Sequence, residues 1–329
     1  MKITCIIPTT GARGCLRQVL QRIEAQDFPS GEFEVIVVGN LPSESLRRSV
    51  MAFRDRIKIL RLIFSGRIGV NHARNCGMEV ARGEVILFLD DDCVPVQKNY
   101  FSQLWRLHEE NPSATAVGGF YHSAEGAGGL EKAYVEISRT WLEGSQYEKG
   151  KSFSLLGGNV SYRREQLGTL HRFDPRIRFG GAETEFHARL SRGGHEFILS
   201  ELIPVTHHAS LGWRDFFRRA FLQGYRWAEL RESGLAPMFK VSSKKENLRR
   251  GFYQNAFQYF FQLGSDWSRI CLYEDTFFWR LRELFVLRVQ RGLELLRASA
   301  GLREFCHLSL FLAQERRQNK LEELRREAR

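Results

Sequence analysis

GVNHARNCGMEVARGEVILFLDDDCVP, residues 69–95, holds a helix, a strand and an acidic turn in one stretch. Val70, Ala73, Gly77 and Val80 recur at helical spacing, so the first half reads as a helix. VILFL, residues 85–89, is short, apolar and rich in strand formers, and reads as a strand buried on both faces. Such strands belong to α/β sheets, whose ligands bind beyond the carboxyl ends of the strands. Asp90, Asp91 and Asp92 stand at that end. Packed carboxylates repel one another, and a divalent cation compensates them best because hard cations take oxygen ligands. A cation held there would face a phosphate-bearing substrate. The competing reading is a solvated acidic turn.

Upstream, the chain alternates strands and helices. TCIIP (4–8) and EVIVV (34–38) are strand-like. Leu16, Val19, Leu20 and Ile23 between them line one helix face. A helix near 44–53 and a strand near 57–64 follow. This order predicts a doubly wound, mostly parallel sheet. Downstream, helices are expected around Phe101–Leu104–Trp105–His108 and Leu130–Tyr134–Ile137–Trp141. LLGGNVSY (155–162) reads as a strand with a glycine bend, 183–191 as a short helix and 197–208 as a strand. From about residue 210 strand signals vanish. Helices rich in aromatics and arginine are expected at 213–231, 246–263, 275–298 and 302–313. The domains are therefore an α/β domain over 1–210 and a helical extension over 211–329.

The 329 residues are 43% hydrophobic, enough for a sizeable core, and the net charge of +11 suggests an anionic partner. Six scattered cysteines without a C-x-x-C pair read as reduced thiols in a cytoplasmic protein, not as a disulfide framework or a zinc site. MKITCIIPTT has the wrong shape for a signal peptide, and no run of about 18 apolar residues marks a transmembrane helix.

The first 210 residues resemble the family 2 glycosyltransferases of the GT-A fold. IIPTT (6–10), EFEVIVVGN (32–40), the A-R-N helix and D-x-D run of 69–95, and FGGAETEFHARLSRGG (179–194) carry the likeness in order and spacing. The resemblance implies an inverting hexosyltransferase that moves a sugar from a nucleotide-diphosphate donor to a glycan or lipid-linked acceptor, with manganese or magnesium. Chemistry agrees, because a metal held by carboxylates neutralises charge on the departing diphosphate.

By resemblance, Asp92 ligates the metal, and Asp90 contacts the metal or the donor's ribose and sugar. Asp91, inside D-x-D, is placed with the donor-binding residues. Pro8 and Thr9 border the nucleotide. Arg74 sits near the donor, where a guanidinium can grip diphosphate or base; the alternative is a surface ion pair. Inversion needs a base to take the acceptor's proton. The family's E-D pair has become Ala182-Glu183, so Glu183 is the candidate base and Glu185 its backup; Glu183 could instead cap its helix. Gly39-Asn40 replaces the usual aspartate after the second strand, leaving Asn40 to meet the base. Gly158 and Asn159 could loop under donor sugar or acceptor, or form a plain β-bend. His207, or else His208, could complete the metal site or lie at the surface.

QGYRW (223–227) matches the Q-x-x-R-W pattern of processive relatives, which implies that Arg226 and Trp227 contact acceptor or diphosphate. The other reading is an amphipathic helix with an anchoring tryptophan. The basic aromatic helices suit peripheral association with the inner face of a membrane, a packed cap or an oligomer interface; no motif supports nucleic-acid binding. Two other functions compete: a non-catalytic carbohydrate- or membrane-binding protein on this fold, and a sugar-nucleotide pyrophosphorylase.

Overall fold

The computed structural model describes residues 1–11, 15–167, 172–177, 181–208, 211–232 and 252–272. They fall into two compact units, which divide between residues 210 and 211. The first unit runs β1 (Ile3–Thr9), α1 (Leu16–Glu24), β2 (Phe33–Gly39), α2 (Glu44–Met51), β3 (Leu60–Phe64), α3 (Val70–Val80), β4 (Val85–Leu89), β5 (Cys93–Pro95), α4 (Tyr100–Glu110) and β6 (Ala114–Ser123). It continues through α5 (Gly129–Ser145), β7 (Gln146–Glu148), β8 (Lys151–Ser152), β9 (Asn159–Arg163), α6 (Arg164–Leu167), α7 (Ala182–Arg192) and β10 (Glu196–His207).

One sheet is ordered β3-β2-β1-β4-β9-β6-β10-β8-β7, with β5 paired to β10. The strands from β3 to β4 are parallel, as the alternating pattern predicts. β9 then runs antiparallel between β4 and β6, so the sheet is mixed. Side chains of β1, β2 and β4 alternate between two cores. Ile7, Val37 and Leu87 pack on one face, and Ile6, Ile36 and Phe88 on the other. This explains the unbroken apolar runs, since both faces are covered.

The opposite end of these strands is tied by charge. Glu34 is fully buried and accepts from Thr4 Oγ1 at 2.7 Å, Arg82 N at 2.8 Å and Arg61 Nη2 at 2.9 Å. Burial alone would push its carboxyl up, but the bonds from Thr4 and Arg82 and the charge of Arg61 hold its pKa below the usual range. A depressed folded-state pKa adds stability above the unfolded value of about 4.3, and that stability is lost as pH falls through the folded one. Glu34→Gln is expected to cost about 1–3 kcal/mol at pH 7 and less in acid. Urea titrations at several pH values check this; an equal loss at every pH contradicts it.

The second unit contains α8 (Trp213–Glu232) and α9 (Phe252–Leu272). The face expected for α8 is the one it buries: Phe217, Ala220, Phe221 and Gly224. The helix expected at 246–263 is described from Phe252 and continues to Leu272; the two expected beyond it lie outside the described residues. The two backbones meet at glycines. A Cβ at Gly224 would sit 1.8 Å from the Phe261 carbonyl oxygen, and one at Gly264 would sit 1.9 Å from that of Phe221. Phe217 stacks on Phe260 beside this crossing, with centroids 4.1 Å apart. Alanine normally improves a helix over glycine by about 1 kcal/mol, but here the obstacle is backbone. Gly224→Ala is therefore expected to destabilise by about 1–3 kcal/mol. Gly144→Ala in α5, where nothing lies within 4 Å, is expected to be stabilising. Thermal unfolding of both variants checks the contrast. Among the described residues no helix is long and apolar enough to cross a membrane.

Candidate active site

The site forms where β1, β2 and β4 end. The Thr9 hydroxyl, at the tip of β1, donates to Asp91 Oδ2 and accepts from Gly11 N at 2.9 Å. Asp91 is thus buried and turned toward β1. This differs from a donor-facing role and explains why the middle acid of the three is a strut. Asn40 N donates to the Thr9 carbonyl at 3.2 Å, placing Asn40 beside Thr9 and Pro8. Its side-chain Oδ1 is buried without a hydrogen bond. Gly39 is explained by packing: a Cβ there would lie 2.7 Å from Phe64 and 2.8 Å from Leu46.

Asp90 is the partly exposed member of the run and receives Arg74 Nη2 at 3.2 Å. Arg74 comes from α3, which Gly77 seats against β1; a Cβ at Gly77 would strike Ile6 at 2.5 Å. The guanidinium is buried, donates to the Gly157 carbonyl at 2.9 Å and lies over the Phe173 ring. Arg74 is therefore in an ion pair, but a buried one at the heart of the site. Asn75 clips the Phe173 backbone, donating to its carbonyl at 2.8 Å and accepting from its N–H at 3.0 Å.

Gly157 and Gly158 make room between the acids. A Cβ at Gly157 would lie 2.9 Å from Arg74 Nη2 and 3.2 Å from Glu183 Oε2. One at Gly158 would lie 2.7 Å from Asp90 Oδ2 and 2.6 Å from the Tyr121 hydroxyl. Asn159 does not face a ligand. Its Oδ1 accepts from Tyr100 and its Nδ2 donates to the Ile203 carbonyl at 2.9 Å, all fully buried. Both ends of the amide are spent on the fold, which corrects the expectation that it meets sugar hydroxyls.

Glu183 stands in the first turn of α7, after Gly181 in the left-handed conformation at φ 69°. Four residues on, on the same face, His187 anchors the helix. Its Nδ1 accepts from Leu155 N at 3.2 Å, so Nε2 carries the proton and donates to Tyr162 Oη at 2.7 Å. Burial, with Arg74 nearby, pushes His187 down to about 3, so it stays neutral. Desolvation raises the Glu183 pKa; Arg74 opposes the shift and Asp90 adds to it. Glu185 is different. It is buried and ion-paired to Arg189, one turn on, whose Nη2 also reaches it at 3.0 Å. That partner explains its position and removes it as a backup base.

Asp92 is buried beside β5 and β10. His207 Nε2 lies 3.8 Å from Asp92 Oδ1, and Cys93 Sγ lies 3.8 Å from the same oxygen. His208 instead gives its backbone N–H to the Asp92 carbonyl at 2.8 Å, so His207 is the histidine that faces the acid. The His207 ring stacks on Tyr121, with centroids 4.6 Å apart and planes at 6°. One ligand atom each from Asp92, Cys93 and His207 lies within 4.8 Å of the others. Carboxylate, imidazole and thiol so placed fit a divalent cation.

The model of glycosyl transferase family 2 matches residues 4–170. The chain belongs to glycosyl transferase family 2. Among curated relatives, this family 2 chain is 30% identical over 93 residues to the poly(ribitol-phosphate) beta-N-acetylglucosaminyltransferase TarS of Staphylococcus aureus, covering 28% of the chain and 16% of the relative. It is 26% identical over 245 residues to the glucosyl-dolichyl phosphate glucuronosyltransferase of Haloferax volcanii, covering 68% of the chain and 76% of the relative. The match thus spans a small part of the length of TarS. Among solved structures, the mannosyltransferase PcManGT of Pyrobaculum calidifontis, in complex with GDP-Man and Mn2+, has a TM-score of 0.56 at 16% identity, over 98% of this chain and 87% of that one. TarS 1–349 with UDP-GlcNAc gives 0.51 at 16% identity, over 82% and 81%. These likenesses show the GT-A fold.

Arg226 and Trp227 of the Q-x-x-R-W segment lie on α8 in the second unit. Arg226 is buried and ion-paired to Glu229 at 2.6 Å, and Trp227 is partly buried. Two residues of the site escape sequence reading. Tyr121 sits in β6, a strand the periodicity does not reveal, and belongs to no motif, yet it receives Gly158 N at 3.1 Å and stacks on His207. Cys93 directly follows the acidic run, and that adjacency is its only signal.

Proposed function

We propose that this chain is an inverting, metal-dependent glycosyltransferase that moves a single sugar from a nucleoside-diphosphate sugar to an acceptor hydroxyl. One observation carries the reading: Asp90 and Glu183, on separate elements, flank the same buried Arg74 and the same glycine gap. One acid marks the donor side and the other the side from which an acceptor would approach.

Asp92 and His207, with Cys93 beside them, would hold the cation. When bound, it supplies positive charge against the diphosphate leaving group. Asn40 offers its buried Oδ1 to a donor N–H on the nucleotide, and Asp90 an acceptor to sugar or ribose hydroxyls. Arg74 holds Asp90 in place and keeps positive charge under the gap. Glu183 takes the acceptor's proton on its carboxylate. Its environment suits a general base, since desolvation strengthens it as a proton acceptor while the charge of Arg74 favours its ionised form. Relatives that act on poly(ribitol-phosphate) and on a dolichyl phosphate-linked sugar support a cell-surface polymer or glycolipid as the acceptor class.

Incubation with UDP-, GDP-, dTDP- and CDP-sugars and manganese tests the reading. One donor is expected to release its nucleotide, slowly to water and faster with a glycan acceptor, and EDTA should stop both. Tight, metal-dependent binding without turnover on any acceptor would sink it in favour of a binding protein.

A further inference from the structure

We propose that Cys93 is a third protein ligand of the metal centre, so that the site takes borderline-soft cations, zinc or cobalt(II), through sulfur as well as through Asp92 and His207. The inference rests on the reading of this cluster as a metal site and adds the sulfur to it.

Strand register puts the thiol there. Cys93 of β5 is the antiparallel partner of His207 in β10, so the two side chains leave the same face of the pair as direct neighbours. Asp92 precedes Cys93 in the chain, and the His207 ring stacks with Tyr121 and Tyr134, whose centroids lie 4.6 and 5.8 Å away. The spacing admits one shared cation: Asp92 Oδ1 lies 3.8 Å from both His207 Nε2 and Cys93 Sγ, and one ligand atom from each of the three residues lies within 4.8 Å of the others. The ligand types set the preference, since thiolate with imidazole suits zinc and cobalt(II) better than magnesium. Three protein ligands leave the fourth tetrahedral position to a ligand from outside the chain.

Cys93 is fully buried, yet its sulfur faces a polar group: Sγ lies 3.8 Å from Asp92 Oδ1. On binding, the S–H bond breaks, the proton passes to solvent and the sulfur–metal bond forms; no oxidant or reductant is needed.

The test is optical. The full chain, stripped of metal by chelator, is titrated with cobalt(II). Visible d–d bands report binding, and a near-ultraviolet sulfur-to-cobalt charge-transfer band reports thiolate ligation. The wild-type chain is expected to show both, saturating together at one equivalent. Cys93→Ser is expected to lose the charge-transfer band and to bind cobalt at least about tenfold more weakly. Cys93→Ala, which keeps the apolar packing, guards against misfolding and should behave alike. Cys76→Ser is expected to keep the band. Cobalt bound with d–d bands alone overturns the sulfur ligand while leaving the glycosyltransferase reading intact. A charge-transfer band that survives both Cys93 variants also overturns it. Failure to bind cobalt or manganese at all overturns the metal site itself.

Discussion

Glu183→Gln is expected to leave donor binding unchanged and to slow transfer by about 10²–10⁴-fold, the usual worth of a positioned general base. The amide keeps the shape and a hydrogen-bonding oxygen but cannot accept the acceptor's proton. Three observations place the effect at this residue rather than at a neighbour. Glu183 borders the gap at Gly157, His187 fixes the helix that carries it, and Glu185 is committed to Arg189. Glu185→Gln should therefore lower stability while largely sparing the rate. The pH profile gives a second readout. Burial holds the Glu183 pKa above the ordinary carboxylate value, so the acidic limb of kcat/KM should lie above about 4.3. Below that limb the base is protonated and inactive. Arg74→Met removes the cation that favours the ionised form, so the limb should move to still higher pH. A limb that stays put in Arg74→Met would show that some other group is the base.

Asp92→Ala is expected to abolish metal-dependent turnover, a loss of at least about a hundredfold given what one charge-stabilising group contributes. Asp92 is the shared partner in the cluster, since both His207 Nε2 and Cys93 Sγ lie 3.8 Å from its Oδ1. Removing it leaves imidazole and thiol without the hard anionic ligand that manganese or magnesium prefers. Asp91→Ala should act differently. Its carboxylate is engaged by Thr9, so its loss should loosen the β1–β4 tips and show first in stability. Steady-state rates at increasing manganese separate the cases: excess metal should not rescue Asp92→Ala. Normal activity in that variant would remove the metal-centre reading.

Much of this architecture is legible in the chain itself, for definite reasons. β1, β2 and β4 are buried on both faces, so their residues form runs that no helix of that length would carry. β6 escapes because Gly118 and Gly119 interrupt its pattern. The fold needs them there, since a Cβ at Gly119 would lie 2.1 Å from the Ile203 carbonyl oxygen at the irregularity of β10. The direction of β9 is invisible too, because a five-residue strand reads the same either way. Among site residues, the strand-end acids mark where the site lies, while the pairing of Asp92 with His207 comes from the family resemblance. The inward turn of Asn159 is not legible, as an amide satisfies core or ligand equally well. The preference for Glu183 over Glu185 rests on the family resemblance, not on the residues themselves. Two residues apart on a helix they point to nearly opposite sides, and only packing shows which side holds the gap.

If the strand-end acids bind a nucleoside diphosphate through a divalent cation, nucleotide affinity must depend on both the metal and Asp92. Calorimetric titration of UDP, GDP, dTDP and CDP into the chain, with manganese and with EDTA, measures that dependence. One nucleotide should bind with manganese, weaken at least about tenfold without it, and lose that metal dependence in Asp92→Ala. Binding of equal strength in manganese and in EDTA, or unchanged in Asp92→Ala, would contradict it.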